Sequence, residues 1–173
     1  MSVEIRPARP SDVNGYLRLM AEYYEHVSSP SFYDYGLLKR PTRDHLKKWF
    51  MRVLGEAKAK QSILLVALED RNVVAYSFLR PLDIPLTHRS HIGKFGMFVS
   101  EKHRNRHIGT ELLKVSVDKA KGMFRTLQMG VFAPNKTAKH IYKKFGFRRW
   151  GIAPGYIKKG NRYIDEEFMY LNL

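Results

Sequence analysis

The spacing of apolar residues changes along the chain and predicts an ordered series of helices and strands. Residues 3–7 predict a short strand. Pro10-Ser11-Asp12 then marks the start of a helix whose apolar residues recur at helical spacing. Turn formers and tyrosines fill residues 28–42, which predicts a loop or broken helix. A second amphipathic helix is expected over residues 43–58.

From residue 62 onward the apolar residues follow the shorter period of β-strands. Two apolar runs, 62–68 and 73–79, flank the turn at 70–72 and predict a β-hairpin. Residues 91–99 alternate and predict a third strand, with one face formed by Phe95, Met97 and Val99.

The rest of the chain mixes helices with strands. After a basic loop at 100–107 we expect two helices, at 109–122 and 137–145, and three strands, at 127–133, 147–153 and 163–171. This order predicts an α+β (α/β three-layer) fold, with a mixed sheet and helices on both of its faces. A length of 173 residues favours a single domain spanning 1–173.

Composition narrows the class of protein. Hydrophobic residues make up 44% and charged residues 27%, as in an ordinary folded domain. No apolar run is long enough to cross a membrane, and the first residues lack a signal-peptide pattern, so we expect a cytoplasmic protein without membrane partners. Cysteine is absent, which excludes disulfides, thiol nucleophiles and cysteine-ligated zinc.

The net charge of +15 favours an anionic partner, which can be nucleic acid, a membrane surface or a polyanionic cofactor. Four lysines make the predicted helix 137–145 and its start strongly positive, which keeps nucleic acid open as a partner: Lys136, Lys139, Lys143 and Lys144. No recognised nucleic-acid motif accompanies them. A solvated face opposite the apolar residues Ala138, Ile141 and Phe145 is the simpler interpretation.

The stretch 94–113 predicts a phosphate-binding site. A strand runs into a basic loop and then into a helix that begins near Gly109 and Thr110. Free backbone N–H groups and the positive end of the helix dipole attract anions at such a position. Arg104 and Arg106 add charged donors. Glycine at 109 allows close approach of the backbone to a ligand.

The sequence Arg104-Asn105-Arg106-His107-Ile108-Gly109 resembles the pyrophosphate-binding pattern of the GNAT acetyltransferases, Gln/Arg-x-x-Gly-x-Gly/Ala. His107 stands where the pattern has its first glycine. Histidine is among the residues enriched at positive φ, so this departure does not exclude the family's backbone path.

A second segment resembles the same family in the right order. Asn135, Ala138 and Tyr142 are followed by Gly146-Phe147, as in the GNAT helix that follows the next strand. Asn135 is a good helix cap, and Gly146 suits a helix C-terminus. The two ends of the chain also resemble the family, and the resemblance is weakest at 25–60.

The resemblance implies a GNAT-like, mostly antiparallel sheet and transfer of an acetyl group from acetyl-CoA to a primary amine by direct attack, without a metal. It implies that backbone groups of Met97 and Val99 hold the pantetheine arm, that Asn135 bonds the cofactor or a water, and that Tyr142 protonates the leaving thiolate. The full set of implied cofactor-binding residues is Met97, Phe98, Val99, Arg104, Asn105, Arg106, His107, Ile108, Gly109, Thr110, Asn135, Ala138 and Tyr142.

The general base and the acceptor stay open at this point. Candidate bases are Asp34, Asp83, His91 and, less favoured, Glu101, and deprotonation through a water chain is an equal alternative. We expect the acceptor pocket to use the 28–42 loop, with Tyr33 and Tyr35, and the 154–162 turn. A homodimer is a further possibility. An acyl-CoA-binding domain without turnover is the alternative to an enzyme.

Overall fold

The computed structural model describes residues 3–26, 41–82, 89–159 and 161–173, and they form one seven-stranded sheet with helices on both faces. The strands are β1 (Glu4–Pro7), β2 (Ile63–Glu69), β3 (Asn72–Pro81), β4 (Ile92–Val99), β5 (Thr126–Phe132), β6 (Arg148–Lys159) and β7 (Arg162–Asn172). Their spatial order is β1-β2-β3-β4-β5-β7-β6. Among the pairs of these described strands, only that of β4 with β5 is parallel, which confirms the mixed, mostly antiparallel sheet.

The described helices are α1 (Val13–His26), α2 (Arg43–Lys58), α3 (Ile108–Ala120) and α4 (Lys136–Lys144). A 3₁₀ turn at Pro10–Asp12 leads into α1, and a second one, Glu101–His103, follows β4. The order of helices and strands agrees with the prediction, and most boundaries differ by only one or two residues. None of these described helices has both the length and the apolar character needed to cross a membrane.

The helices cover the sheet in two pairs. On one side, which we call the α3/α4 face, buried residues of both helices form one core with β-strand residues such as Phe95, Met129 and Met169. On the other side, the α1/α2 face, the two first helices pack on β2 and β3. There the ring of Tyr16 stacks on Trp49 at 5.5 Å.

A buried pair of hydroxyls fixes α3 on the sheet. The Oγ atoms of Ser116 on α3 and Ser77 on β3 lie 2.8 Å apart, and Ser116 also donates to the carbonyl of Leu112 at 2.7 Å. Buried polar groups are retained where they find hydrogen-bond partners. The pair therefore sets the position of the helix whose first turn lies beside β4.

Strand β6 is longer than predicted, which corrects the expected turn at 154–162. The pairing of β6 with β7 shifts between Ala153 and Ile157 and then resumes as far as Lys159. Within this irregularity Pro154 has no N–H to donate, and Gly155 adopts a φ of +59°. The Gly155 amide donates to Oδ1 of Asp165 at 2.8 Å, so the strand continues past the two residues that suggested a turn.

Candidate active site

Strands β4 and β5 are paired only at their beginnings. Their register runs from Ile92 opposite Thr126 to Lys94 opposite Gln128, and no later pair joins them in the described sheet. Beyond this point β4 stays paired with β3 up to Val99, and β5 stays paired with β7 up to Phe132. The two strands therefore diverge, and each presents an unpaired backbone edge to the opening, which we call the β4–β5 cleft.

The three cofactor-binding residues predicted on β4 lie in this diverging segment. Met97 and Val99 point to the α3/α4 face, where they pack against its core. Phe98 points to the α1/α2 face, where its ring lies 5.6 Å from that of Tyr23. Backbone hydrogen bonds of Ile92 and Ser100 to the β3 side show that the even-numbered residues of β4 face β3, so a ligand between β4 and β5 would meet the backbone N–H and C=O groups of Met97 and Val99. A backbone contact from Phe98 is not favoured, because its N–H and C=O groups face β3.

The loop after β4 takes a left-handed path at two residues. Asn105 has a φ of 60°, and His107 has a φ of 61° with a ψ of 0°. His107 thus adopts, at the first-glycine position, the left-handed conformation that glycine takes most readily. It occupies the N-cap position of α3, where its side chain makes no hydrogen bond to the helix.

The first turn of α3 has free amides close to β4. The first backbone bond of the helix runs from Glu111 N to the carbonyl of His107, at 3.0 Å. The amides of Ile108, Gly109 and Thr110 consequently have no acceptor within the helix. A Cβ on Gly109 would lie 3.4 Å from Val99 Cγ2, so the glycine also lets this turn lie close to β4.

The two loop arginines are placed differently. Arg104 is 45% exposed, its Nε donates to the Val99 carbonyl at 3.4 Å, and its guanidinium lies 5.9 Å from the centre of the Phe98 ring. Arg106 donates to both carboxylate oxygens of Glu69, at the end of β2. Arg104 is therefore the arginine with donors available for a phosphate, and a contact from Arg106 stays a prediction.

Glu69 was not found from the sequence, although it anchors the loop. Hydrogen bonds from Arg106 hold the pKa of Glu69 below its ordinary value, which keeps the carboxylate charged. His103 Nε2 lies 3.3 Å from the same carboxylate. The loop after β4 is thus tied to the β2–β3 hairpin by two of its basic residues.

Helix α4 brings Tyr142 to the start of the cleft. The Asn135 side chain accepts from the Ala138 amide at 3.0 Å, which confirms the predicted N-cap, and Gly146 ends the helix with a φ of +90°. Tyr142 is 5% exposed, and its ring packs 6.4 Å from Phe95 and 5.8 Å from Phe147. Phe95 is the first residue of β4 beyond its last pair with β5.

Burial in this aromatic surrounding raises the pKa of the Tyr142 hydroxyl far above its ordinary value. The hydroxyl therefore keeps its proton at neutral pH. Its ring stands on the α3/α4 face, the same face as Met97 and Val99.

Of the candidate bases, the described residues include His91 and Glu101. Asp34 and Asp83 lie outside the described part of the chain, as do Tyr33 and Tyr35. His91 and Glu101 are exposed at the two ends of β4. The sequence missed another carboxylate, Glu166 on β7, which is 3% exposed and lies beside β5.

The basic surface of α4 is partly neutralised. Lys139 donates to Glu167 on β7 at 2.6 Å, whereas Lys136, Lys143 and Lys144 are exposed. Within the described ranges, no three His, Asp or Glu side chains are grouped so that they could hold a metal ion.

Known proteins match both the sequence and the fold. A family model described as an acetyltransferase (GNAT) domain matches residues 5–168. The L-amino acid N-acetyltransferase AaaT of Escherichia coli (strain K12) is 29% identical over 128 residues, which is 73% of this chain and 75% of AaaT.

Two solved structures share the fold at low sequence identity. The structure of yncA from Salmonella typhimurium with its cofactor acetyl-CoA has a TM-score of 0.84 and 18% identity, covering 100% of this chain and 95% of that one. A GNAT superfamily phosphinothricin acetyltransferase from Sinorhizobium meliloti, in complex with acetyl-CoA, has a TM-score of 0.82 and 20% identity, covering 100% and 89%. With the diverging strands, the left-handed loop and the match over residues 5–168, these findings show that the chain belongs to the GNAT acetyltransferase family.

Proposed function

We propose that residues 1–173 act as one catalytic domain that transfers an acetyl group from acetyl-CoA to a primary amine. The acceptor class comprises protein N-termini, lysine side chains and small-molecule amines. One observation carries the proposal: the free amides of the α3 first turn and the Tyr142 side chain flank the same β4–β5 cleft, on the same face of the sheet.

The cofactor-binding side of this proposal uses mainly backbone groups. The amides of Ile108, Gly109 and Thr110, together with Arg104, would bind the pyrophosphate. The unpaired edge of β4 from Met97 to Val99 would bind the amide groups of the pantetheine arm as a neighbouring strand does. Asn135 already uses its carbonyl oxygen as the α4 cap, which leaves its NH₂ group for the cofactor or a water.

Acetyl-CoA supplies a thioester whose carbonyl carbon is attacked by the amine. Backbone N–H groups on the free edge of β4 would stabilise the negative charge that develops on the carbonyl oxygen. Tyr142, kept protonated by its buried position, would give its proton to the sulfur as the C–S bond breaks.

The attacking amine has to be neutral, and this sets a further requirement on the site. A lysine-like amine with a pKa of ~10.4 costs about 4.6 kcal/mol to deprotonate at pH 7. A peptide N-terminus, with a pKa of about 8, costs far less. A group that removes a proton from the acceptor would therefore matter most for alkyl amines.

The test is release of free thiol from acetyl-CoA in the presence of an amine panel. The panel contains the L-amino acids, peptides with a free N-terminus, peptides with a single lysine, spermidine and an aminoglycoside. We expect amine-dependent thiol release and an acetylated product of matching mass. Acetyl-CoA binding without thiol release across the panel would instead indicate a binding domain. Salt-dependent RNA binding that acetyl-CoA does not affect would favour the nucleic-acid alternative.

A further inference from the structure

The carboxylate of Glu166 lies next to the cleft, on the face of the sheet opposite Tyr142. On β5, Met129 and Val131 belong to the α3/α4 core that includes Tyr142. Side chains alternate between faces along a strand, so Gly130 and Phe132 belong to the α1/α2 face. Glu166 is paired with Phe132 and therefore shares that face.

Its neighbour Glu167 confirms this assignment. Glu167 is paired with Val131 and accepts a hydrogen bond from Lys139 on α4, so it points to the α3/α4 face. Two consecutive glutamates thus place one carboxylate on each side of the sheet. The one on the α4 side is bound by a lysine of that helix.

The Glu166 side chain fills the space above Gly130. A Cβ on Gly130 would come within 2.6 Å of the Glu166 carboxyl carbon and closer still to Oε1. Gly130 lies two residues beyond the last pair between β5 and β4. The carboxylate is therefore held against the segment of β5 that borders the cleft, at a position where only glycine leaves room for it.

Aromatic side chains lie on the same face of the sheet as Glu166. Phe168, paired with Gly130, has the rings of Trp150 at 5.7 Å and Tyr156 at 5.9 Å. Burial raises the pKa of the Tyr156 hydroxyl, and the nearby negative charge of Glu166 raises it further. The Glu166 side chain is 3% exposed, so the carboxylate lies in surroundings with little solvent.

We propose that Glu166 binds the amino group of the acceptor and takes a proton from it before the attack. The inference rests on the proposed acetyl transfer and identifies the acceptor side of that site. The cleft then has the proton donor Tyr142 on one face and the proton acceptor Glu166 on the other, so the amine approaches the thioester from the side opposite Tyr142. The neighbouring aromatic rings favour an acceptor with an apolar group next to its amine.

The protons balance in this scheme. An ammonium acceptor gives one proton to the Glu166 carboxylate, and the neutral nitrogen forms the C–N bond to the thioester carbon. The C–S bond breaks, and the sulfur takes the proton of Tyr142. The nitrogen then loses its second proton to the Tyr142 phenolate through solvent, and Glu166 releases its proton to water. The products are an amide, free CoA thiol and one proton.

The experiment compares Glu166→Gln with Glu167→Gln in the thiol-release assay with the amine panel. Glu166→Gln keeps the size of the side chain but not its charge, and we expect kcat/KM for the amine to fall about 10²- to 10⁴-fold, the usual range for loss of a general base. The dissociation constant for acetyl-CoA should stay within about twofold, because Glu166 lies on the other face. Glu167→Gln should leave kcat/KM within about threefold and lower thermal stability, since it breaks the bond from Lys139.

A second pair of variants tests whether the position of the Glu166 carboxylate matters as well as its negative charge. Glu166→Asp keeps a carboxylate and should retain more activity than Glu166→Gln. Gly130→Ala displaces the flexible end of Glu166 and should lower kcat/KM for the amine while the protein folds normally and binds acetyl-CoA.

Several results overturn the assignment. Equal activity of Glu166→Gln and the unmodified protein would do so, as would parallel losses in Glu166→Gln and Glu167→Gln, or loss of acetyl-CoA affinity together with activity. If any of these results is obtained while the unmodified protein releases thiol, the role of Glu166 is rejected and the acetyltransferase proposal still holds. Absence of thiol release by the unmodified protein would overturn both.

Discussion

The two faces of the β4–β5 cleft differ in how their functional groups are arranged along the sequence. On the α3/α4 face, the groups proposed to bind acetyl-CoA come from consecutive residues, the end of β4 and the loop and first turn that follow it. On the α1/α2 face, the Glu166 carboxylate meets β5 through the pairing of strands that are distant in sequence. The cofactor side depends on local backbone geometry, whereas the acceptor side depends on sheet register.

This contrast explains why the family resemblance identifies the cofactor and not the acceptor. A left-handed residue, a free helix start and a cap are specified within a few residues, so they remain recognisable at low identity. A residue whose side chain contacts a neighbouring strand can be substituted without altering the strand to which it belongs. We therefore expect variants on the α3/α4 face to change acetyl-CoA binding or thiol protonation, and variants on the α1/α2 face to change acceptor kinetics.

Tyr142→Phe has the largest expected effect among the variants that distinguish catalysis from acetyl-CoA binding. Removing one hydroxyl should lower kcat about 10²- to 10⁴-fold, because the leaving thiolate loses its proton donor. Affinity for acetyl-CoA should stay within about twofold, since the ring still packs on Phe95 and Phe147. Steady-state kinetics and calorimetric titration measure the two quantities. Unchanged kcat would remove Tyr142 from the chemistry.

The next effect distinguishes the two loop arginines. Arg104→Ala should weaken acetyl-CoA binding by ~1.5–3 kcal/mol, the scale of a hydrogen bond to a charged group, which is roughly a 10- to 150-fold rise in Kd. Arg106→Ala should raise Kd by less than about threefold and instead lower the unfolding temperature, because Glu69 loses its partner. A reversed order of the two Kd values would mean that Arg106 leaves Glu69 to bind the phosphate.

The smallest effect concerns the backbone at His107. With a φ of 61°, His107→Gly should fold and bind acetyl-CoA about as well as the unmodified protein, whereas His107→Val should lose about 1–2 kcal/mol of unfolding free energy. Gly109→Ala is the matched control, because its added Cβ would lie 3.4 Å from Val99 at an ordinary helical position. Urea unfolding gives the unfolding free energy of all three variants. A His107→Val variant of undiminished stability would show that the loop does not depend on a left-handed residue.

Much of the fold follows from local pattern, and the exceptions have physical causes. The alternation in β4 and the helical spacing of α3 predicted their faces correctly, and Asn135 and Gly146 marked the two ends of α4. The turn expected at 154–162 is wrong, because a hydrogen bond from Gly155 to Asp165 carries β6 through Pro154 and Gly155. Local propensity gives no information on a partner ten residues away in the opposite strand.

The parts of the site that the sequence did not predict depend on distant residues in the same way. The partner of Arg106 is Glu69, 37 residues earlier, and no local pattern links them. Glu166 looked like one of two ordinary charges in a final strand. The available signal was the pair Glu166-Glu167 itself, because adjacent charges in a strand must face opposite sides and one of them then faces the interior.

Hydrogen–deuterium exchange with and without saturating acetyl-CoA tests the central claim most directly, because it reports on the backbone amides that line the cleft. We predict slower exchange at Met97 and Val99 and at Ile108–Thr110 when acetyl-CoA is bound, with no change in α2, which lies away from the cleft. Binding of acetyl-CoA that leaves exchange in both segments unchanged would contradict the proposed site.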